Sequence, residues 1–245
     1  MTDTLSTLQN HRSIRKFTDE PVPQEHLEAY IRAGQAAATS SFIQATTVIQ
    51  VNAQDQREQM AEWAGNQAYI VSAPVFLVFC ADMRRHELVC DMHQAEMLSG
   101  FTEQFMTATI DVALFAQNVV VAAEADGLGI CYIGGLRNNP DKVSTALELP
   151  ELVYPVFGLC IGHPDQNPEV KPRLPLSVVL KQDRYEDGAD ADTIRDYDAA
   201  VWHYYETRTG GNKSMTWSEQ ISGMLKKEAR PHMLPFLQQR GFLRR

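Results

Sequence analysis

Cysteine is scarce and unpaired in this sequence. Cys80, Cys90, Cys131 and Cys160 lie far apart, and no two form a C-x-x-C motif. Three of them, Cys80, Cys131 and Cys160, sit inside apolar runs, as small core residues do. A reducing, cytoplasmic setting fits that usage. An export signal is also missing, because Met1-Thr-Asp-Thr gives no basic start before an apolar run. No apolar run reads as bilayer-long; the greasiest stretch, around Val112–Ala123, is broken by Gln117 and Asn118. Positive charge is in deficit, with a net charge of −9, which argues against nucleic acid and anionic membrane surfaces as partners. There is no G-x-S-x-G, no P-loop and no H-E-x-x-H. No repeat, low-complexity tract or interdomain linker appears.

What is present suits a globular chain. At 245 residues, 44% hydrophobic and 22% charged, it can bury a sizeable core as one large domain or two small ones. Residues 4–12 read as a short first helix. Leu27, Tyr30, Ile31, Gly34 and Ala38 follow helical spacing, and Thr46–Val51 is a β-branched strand. Residues 55–64 read as a helix with Met60 and Trp63 inward. Val75–Ala81 is apolar throughout and so reads as a central strand. Residues 82–103 are ambiguous. Phe105–Asp126 reads as a long apolar helix stopped at Gly127-Leu128-Gly129. A helix apolar nearly all round belongs in a core or a subunit interface. Short strands follow at Ile130–Ile133 and Val153–Ile161, with a helix between them starting at Asn139-Pro140. A further strand is expected at Ser177–Leu180 and a helix at Asp192–Tyr205. Thr207–Lys213 reads as a cationic loop. Thr216 and Glu219 form a capping box for the next helix, which ends near Arg230-Pro231. The pattern predicts an α+β fold with helices around a small mixed sheet.

One stretch concentrates charge. His11–Phe17, HRSIRKF, packs His11, Arg12, Ser13, Arg15 and Lys16 into a few positions. It reads either as donors for a phosphorylated ligand or as a solvated helix end. Lys171-Pro172-Arg173 is a second basic node, held rigid by its proline. Gly134-Gly135, after a strand, leaves room for a flat ring against the backbone. Gly127-Leu128-Gly129 is not a dinucleotide fingerprint, because it ends a helix instead of opening one. His86, Cys90 and His93 share a helical face, but no second half of a ligand set matches them. They read as charged surface, and no metal site is expected. Asp111, inside the apolar helix, reads as a hydrogen-bonded core or interface residue and not as a base.

Together HRSIRKF, TSSFIQ, YIGGLRN, LCIGHPDQNPEVKPRLP and TWSEQ…KKEARPHMLPFL resemble the oxygen-insensitive NADPH nitroreductases and NADPH–flavin oxidoreductases. The match runs in register from about residue 10 to the C-terminus. The resemblance implies a nitroreductase-like α+β fold, its central mixed sheet mainly antiparallel, as a single FMN-binding domain over 1–245, with an extension of about 190–245 that wraps an intertwined homodimer and helps bind NADPH. It implies tightly bound, non-covalent FMN at the dimer interface, with both subunits contributing to each site. Carried over, His11, Arg12, Ser13, Arg15, Thr39, Ser41, Gln67, Tyr69, Tyr132, Ile133, Gly134, Gly135, Lys171 and Arg173 contact FMN. Arg208, Lys213 and Arg230 contact NADPH. No side chain is assigned as catalytic in the strict sense; Arg15 tunes the flavin. The implied activity is ping-pong, two-electron reduction of nitroaromatics, quinones and free flavins. The alternatives are a dedicated flavin reductase feeding a monooxygenase, or a non-catalytic flavin-binding protein.

Overall fold

A computed structural model describes residues 4–207 and 215–245. The chain divides into two compact units, Met1–Asn167 with Arg230–Arg245, and Pro168–Ala229. In chain order the elements are α1 (Thr4–Gln9), α2 (Gln24–Gln35), β1 (Thr46–Gln50), α3 (Gln54–Trp63), α4 (Tyr69–Ser72), β2 (Val75–Asp82), α5 (Arg84–Met92), α6 (Thr102–Ala125), β3 (Gly129–Ile133), α7 (Pro140–Ala146), β4 (Val153–Gly162), α8 (Leu176–Val179), α9 (Asp190–Thr207), α10 (Trp217–Leu225) and α11 (Met233–Gln239).

The larger unit is built on an antiparallel sheet of order β1-β2-β4-β3. Strand β2 is buried along its whole length, as its unbroken apolar run predicts. Its side chains alternate between two cores. Val75, Leu77, Phe79 and Ala81 face α2 and α6, while Phe76, Val78 and Cys80 face α3, α4 and α7. The last residues return to the first of these cores, where Phe242 packs edge-on against Tyr154 at 4.9 Å.

By length and composition α6 is apolar enough to cross a bilayer, contrary to the sequence reading. Its fold position explains the composition. Ala108, Val112, Ala116, Val119, Val120 and Ala123 form one fully buried face against the sheet. The opposite side carries an exposed apolar stripe of Met106, Ile110 and Leu114. Asp111 accepts backbone N–H bonds from Ser40 at 3.0 Å and Ala45 at 3.4 Å, as a hydrogen-bonded core residue should.

In the smaller unit Tyr197, Val201, Tyr204 and Tyr205 of α9 form a core with Leu174 and Trp217. The capping box at Thr216 and Glu219 is present: each side chain accepts the other's backbone N–H, at 3.2 and 2.9 Å.

Several expectations change. The strand expected at Ser177–Leu180 is the helical turn α8, led by Pro175 and paired with no strand among the described residues. The ambiguous region after β2 contains α5. The helix capped at Thr216, α10, ends at Leu225, well before Arg230, and a further helix, α11, follows it. The first helix stops at Gln9, because the residues after it join the sheet.

Arg57 locks the chain leaving β1 to the chain entering β2. It is 6% exposed and donates to the carbonyls of Val51 (2.7 Å), Ala73 (2.6 Å) and Pro74 (3.4 Å). Burial lowers its pKa, yet it spends its donors on carbonyls alone. Arg57→Met should therefore cost about 3 kcal/mol in urea unfolding, since buried carbonyls lose charged donors. A loss below about 1 kcal/mol would show that the lock is not structural.

Candidate functional site

The HRSIRKF stretch is an extended edge segment and not a helix end. Ser13 bridges Ile130 in parallel, Ile14 N–H donates to Ile130 O at 2.8 Å, and Phe17 bridges Pro164. That single parallel pairing is the mixed component of an otherwise antiparallel sheet. Ile14 is 4% exposed and fills the space where a Cβ on Gly129 would stand, 2.6 Å from its Cγ1. Gly127 closes α6 with a positive φ of 81°. The two glycines thus have different tasks, one turning the chain and the other admitting Ile14.

Alternation along the segment separates its cations. Arg12 and Ile14 line a cavity of about 460 Å³ with Glu124, Leu128 and Gly129, on the α6 side. Arg15 points the other way, its charge close enough to the Tyr69 phenol of α4 to pull down the phenol's pKa. His11 Nδ1 meets Glu124 Oε1 at 2.6 Å. Lys16 and Arg15 are exposed.

From Tyr69, beside the Arg15 guanidinium, a line of donors runs inward. Tyr69 donates to Gln67 Oε1 at 2.8 Å, and Gln67 Nε2 donates to Ala64 O at 2.9 Å. Burial, with Cys131 nearby, raises the Tyr69 pKa against the pull of Arg15, so the phenol keeps its proton and remains a donor. Gly135 lies against the inner end of this line. A Cβ there would stand 2.4 Å from Ala64 O and 2.6 Å from Gln67 Nε2. Gly135 is therefore demanded by close protein packing, a different reason from the open ring face expected of it. Arg15, Gln67, Tyr69 and Gly135 are brought together.

The remaining expected residues differ in where they point. Tyr132 faces the α6 side, its hydroxyl donating to Gln117 at 3.4 Å, whereas Ile133 is buried in the opposite core. Gly134 stands 3.2 Å, by its absent Cβ, from the tip of Arg137. Lys171 and Arg173 belong to the smaller unit. There Lys171 Nζ donates to Tyr205 Oη at 2.7 Å, Arg173 donates to Lys171 O at 3.1 Å, and both line a cavity of about 370 Å³ with Tyr197 and Trp217. Arg230 has a left-handed backbone (φ 60°) and donates from Nε to Asn138 Oδ1 at 2.9 Å. Arg208 and Lys213 lie outside the described residues.

The Thr39–Ala45 loop stands at the opposite edge of the sheet, leading into β1. Ser41, Phe42 and Gln44 all have positive φ (49°, 60° and 54°), a conformation costing non-glycine residues about 1–2 kcal/mol each. Ser41 is exposed and Phe42 is 80% exposed, but the Thr39 hydroxyl is buried. Helix α6 crosses between the two edges. Asp111 holds the loop, and Glu124 holds His11. At about 1.5 Å per residue these anchor points stand about 20 Å apart.

Sequence reasoning missed the clamps. Arg85 and His86, read as charged surface, turn their side chains onto the loop: Arg85 Nη1 donates to Gln44 O at 3.1 Å, and His86 Nε2 meets Ile43 O at 2.6 Å. Glu124 and Arg137 were missed too. Burial and the like charge of Arg230 lower the Arg137 pKa. Only the cluster Arg84-Arg85-His86, basic residues opening a helix, hinted at any of this.

The neighbouring glycines give a direct check. Gly135→Ala should lower stability by about 1–3 kcal/mol through overpacking against the Ala64 carbonyl. Gly134→Ala should be nearly neutral, since only the flexible end of Arg137 must move. Thermal unfolding of both variants measures the contrast, and equal effects would refute the packing explanation.

Comparison with known proteins agrees with this fold. The Nitroreductase family model matches residues 8–163, and the model of the Nitroreductase family, C-terminal domain, matches residues 171–245. The chain is 45% identical over 245 residues to the NADPH-flavin oxidoreductase of Vibrio harveyi, covering 100% of both. It is 40% identical over 245 residues to the oxygen-insensitive NADPH nitroreductase of Salmonella typhimurium, again covering 100% of both. A solved structure of the NADPH:FMN oxidoreductase from Vibrio harveyi complexed with NAD+ matches with a TM-score of 0.91 at 43% identity, covering 99% of each chain. Two family models and full-length relatives thus cover the segments that carry the resemblance, and the chain belongs to the nitroreductase family.

Proposed function

We propose that this protein is an FMN-dependent NADPH oxidoreductase that reduces nitroaromatics, quinones and free flavins two electrons at a time. The observation that carries this reading is the exposed Arg15 guanidinium beside the Tyr69 phenol, which is itself tied through Gln67 to Ala64 and packed against Gly135. It places a guanidinium and a phenol donor together at the sheet edge. FMN bound there would supply hydride acceptance from NADPH and hydride donation to the second substrate.

The donor set fits that cofactor. Arg15 carries a permanent positive charge that stabilises negative charge on the pyrimidine edge of the ring without reorganising, which is electrostatic preorganisation. Tyr69, oriented by Gln67, sets its phenol beside that guanidinium. Ser13, Arg12 and His11 supply polar contacts toward the ribityl and phosphate end, with His11 oriented by Glu124. Lys171 and Arg173 supply the remaining phosphate charge, and Arg230, with Arg208 and Lys213, reads NADPH. One cleft used in turn by reductant and acceptor gives ping-pong kinetics.

The site is completed by a second copy of the chain. Arg15 and Ser41 belong to opposite edges of the sheet, separated by more than the width of one flavin ring. The exposed stripe of Met106, Ile110 and Leu114 on α6 gives a self-complementary apolar face for that copy. The extension of about 190–245 would wrap this dimer. Buried, free thiols at Cys80, Cys131 and Cys160 agree with a cytoplasmic home. A dedicated flavin reductase feeding a monooxygenase is the neighbouring reading, and rates with free FMN against nitrofurazone separate the two.

The purified protein should be yellow and bleach on adding NADPH. Arg15→Ala should lose flavin and turnover together, by about tenfold or more; unchanged flavin content and rate would remove Arg15 from the site. Ile110→Glu should shift the mass measured by light scattering from dimer to monomer and release FMN with it. A dimeric, flavin-loaded Ile110→Glu protein would contradict the α6 interface.

A further inference from the structure

The Thr39–Ala45 loop is held in its strained shape from three sides. Asp111, 1% exposed, accepts the backbone N–H groups of Ser40 and Ala45. Arg85 donates to the carbonyls of Gln44 and Thr46, at 3.1 and 3.4 Å. His86 Nε2 meets the carbonyl of Ile43 at 2.6 Å. A carbonyl only accepts, so this contact fixes the tautomer with the proton on Nε2. Behind the loop lies a cavity of about 470 Å³ lined by Thr39, Gln44, Arg85, His86, Asp111 and Phe115. Thr39 Oγ1 and His86 Nδ1, both on this cavity, are buried without a hydrogen-bond partner among the described residues. Buried polar atoms are rarely left so without a reason. Here the ring is committed through Nε2 to the loop backbone.

We propose that His86 is a positioning residue for the flavin site: through Nε2 it holds Ile43, and with Asp111 it keeps the following and preceding residues in the left-handed form that presents Ser41 and Phe42. This rests on the flavin reading above. Strain at functional loops persists only where the surroundings over-determine it, and the three clamps on one short loop meet that condition. Helix α5 sinks no residue fully into the core, so the loop contact explains the orientation of His86, while Arg85 is held by Asp82 and Thr47 as well as by the loop.

The test compares His86→Gln with His86→Asn. Glutamine carries its amide nitrogen where Nε2 sits, and asparagine carries it nearer to Nδ1. Two readouts are taken. Hydrogen exchange of the apoprotein follows peptides spanning residues 39–46, and fluorescence titration gives the FMN dissociation constant. His86→Gln should resemble the wild type in both, within about threefold. His86→Asn should speed loop exchange and weaken FMN binding by about tenfold or more, leaving exchange in β2 unchanged. Adding Gln44→Gly, which removes the cost of φ 54° at an exposed position, should restore most of the affinity. Equal behaviour of the glutamine and asparagine variants would overturn the proposal. So would faster loop exchange with FMN affinity unchanged, since the loop would then be clamped for another purpose. If the wild type binds no FMN, the flavin reading fails, and the exchange data alone decide whether His86 clamps the loop.

Discussion

Ile14 seated on Gly129 is the contact on which the rest depends. It joins two sequence features that look unrelated, a basic stretch near the start and a glycine after the longest helix. The absent Cβ of Gly129 lets the edge segment lie against β3, and the Ile14 N–H to Ile130 O bond sets its register. Once that register is fixed, alternation sends Arg12 toward α6 and Arg15 toward α4. A slip of one residue would exchange them. The candidate chemistry thus follows from a packing detail, because only this register brings Arg15 to Tyr69.

The same sheet that positions Arg15 keeps it away from the Thr39–Ala45 loop. Strands β2, β4 and β3 intervene, at about 4.8 Å per strand. Helix α6 holds both edges, with Glu124 at one and Asp111 at the other. Its remaining apolar stripe has no partner within the described residues of its own unit. A long helix with one face in the core, polar anchors at both sheet edges and an apolar outer face suits a body that works in pairs.

Much of this was legible in the sequence, and the exceptions have physical causes. The long helix, the buried strand β2 and the Thr216 capping box follow from periodicity and capping chemistry that act locally. Asn139-Pro140 marks a helix start correctly, yet Asn139 gives its amide to the Trp63 carbonyl at 2.9 Å instead of capping. Ser177–Leu180 has strand-forming residues, but no neighbour offers an edge, so Pro175 sets a helical turn. The HRSIRKF stretch was ambiguous because its conformation is decided by Gly129, more than a hundred residues away. For the site, residue types carried the resemblance, but the reasons differ: Gly135 serves the Ala64 carbonyl before it serves any ligand. Arg85 is exposed, as read, but the loop role of Arg85 and His86 escaped notice because the loop offers them backbone carbonyls, which leave no mark in a sequence.

The central claim is that one chain holds both halves of the site at opposite sheet edges, so that each complete site draws on two chains. Subunit mixing tests it most directly. Arg15→Ala breaks one half and Ser41→Trp the other, and each homodimer should be inactive with NADPH. Unfolding and refolding the two together forms heterodimers. If each site draws on both chains, one site in every heterodimer is intact, and NADPH-dependent reduction should return in the mixture. If each chain builds its own site, every site in the mixture still carries one lesion, and the absence of any recovery would contradict the account.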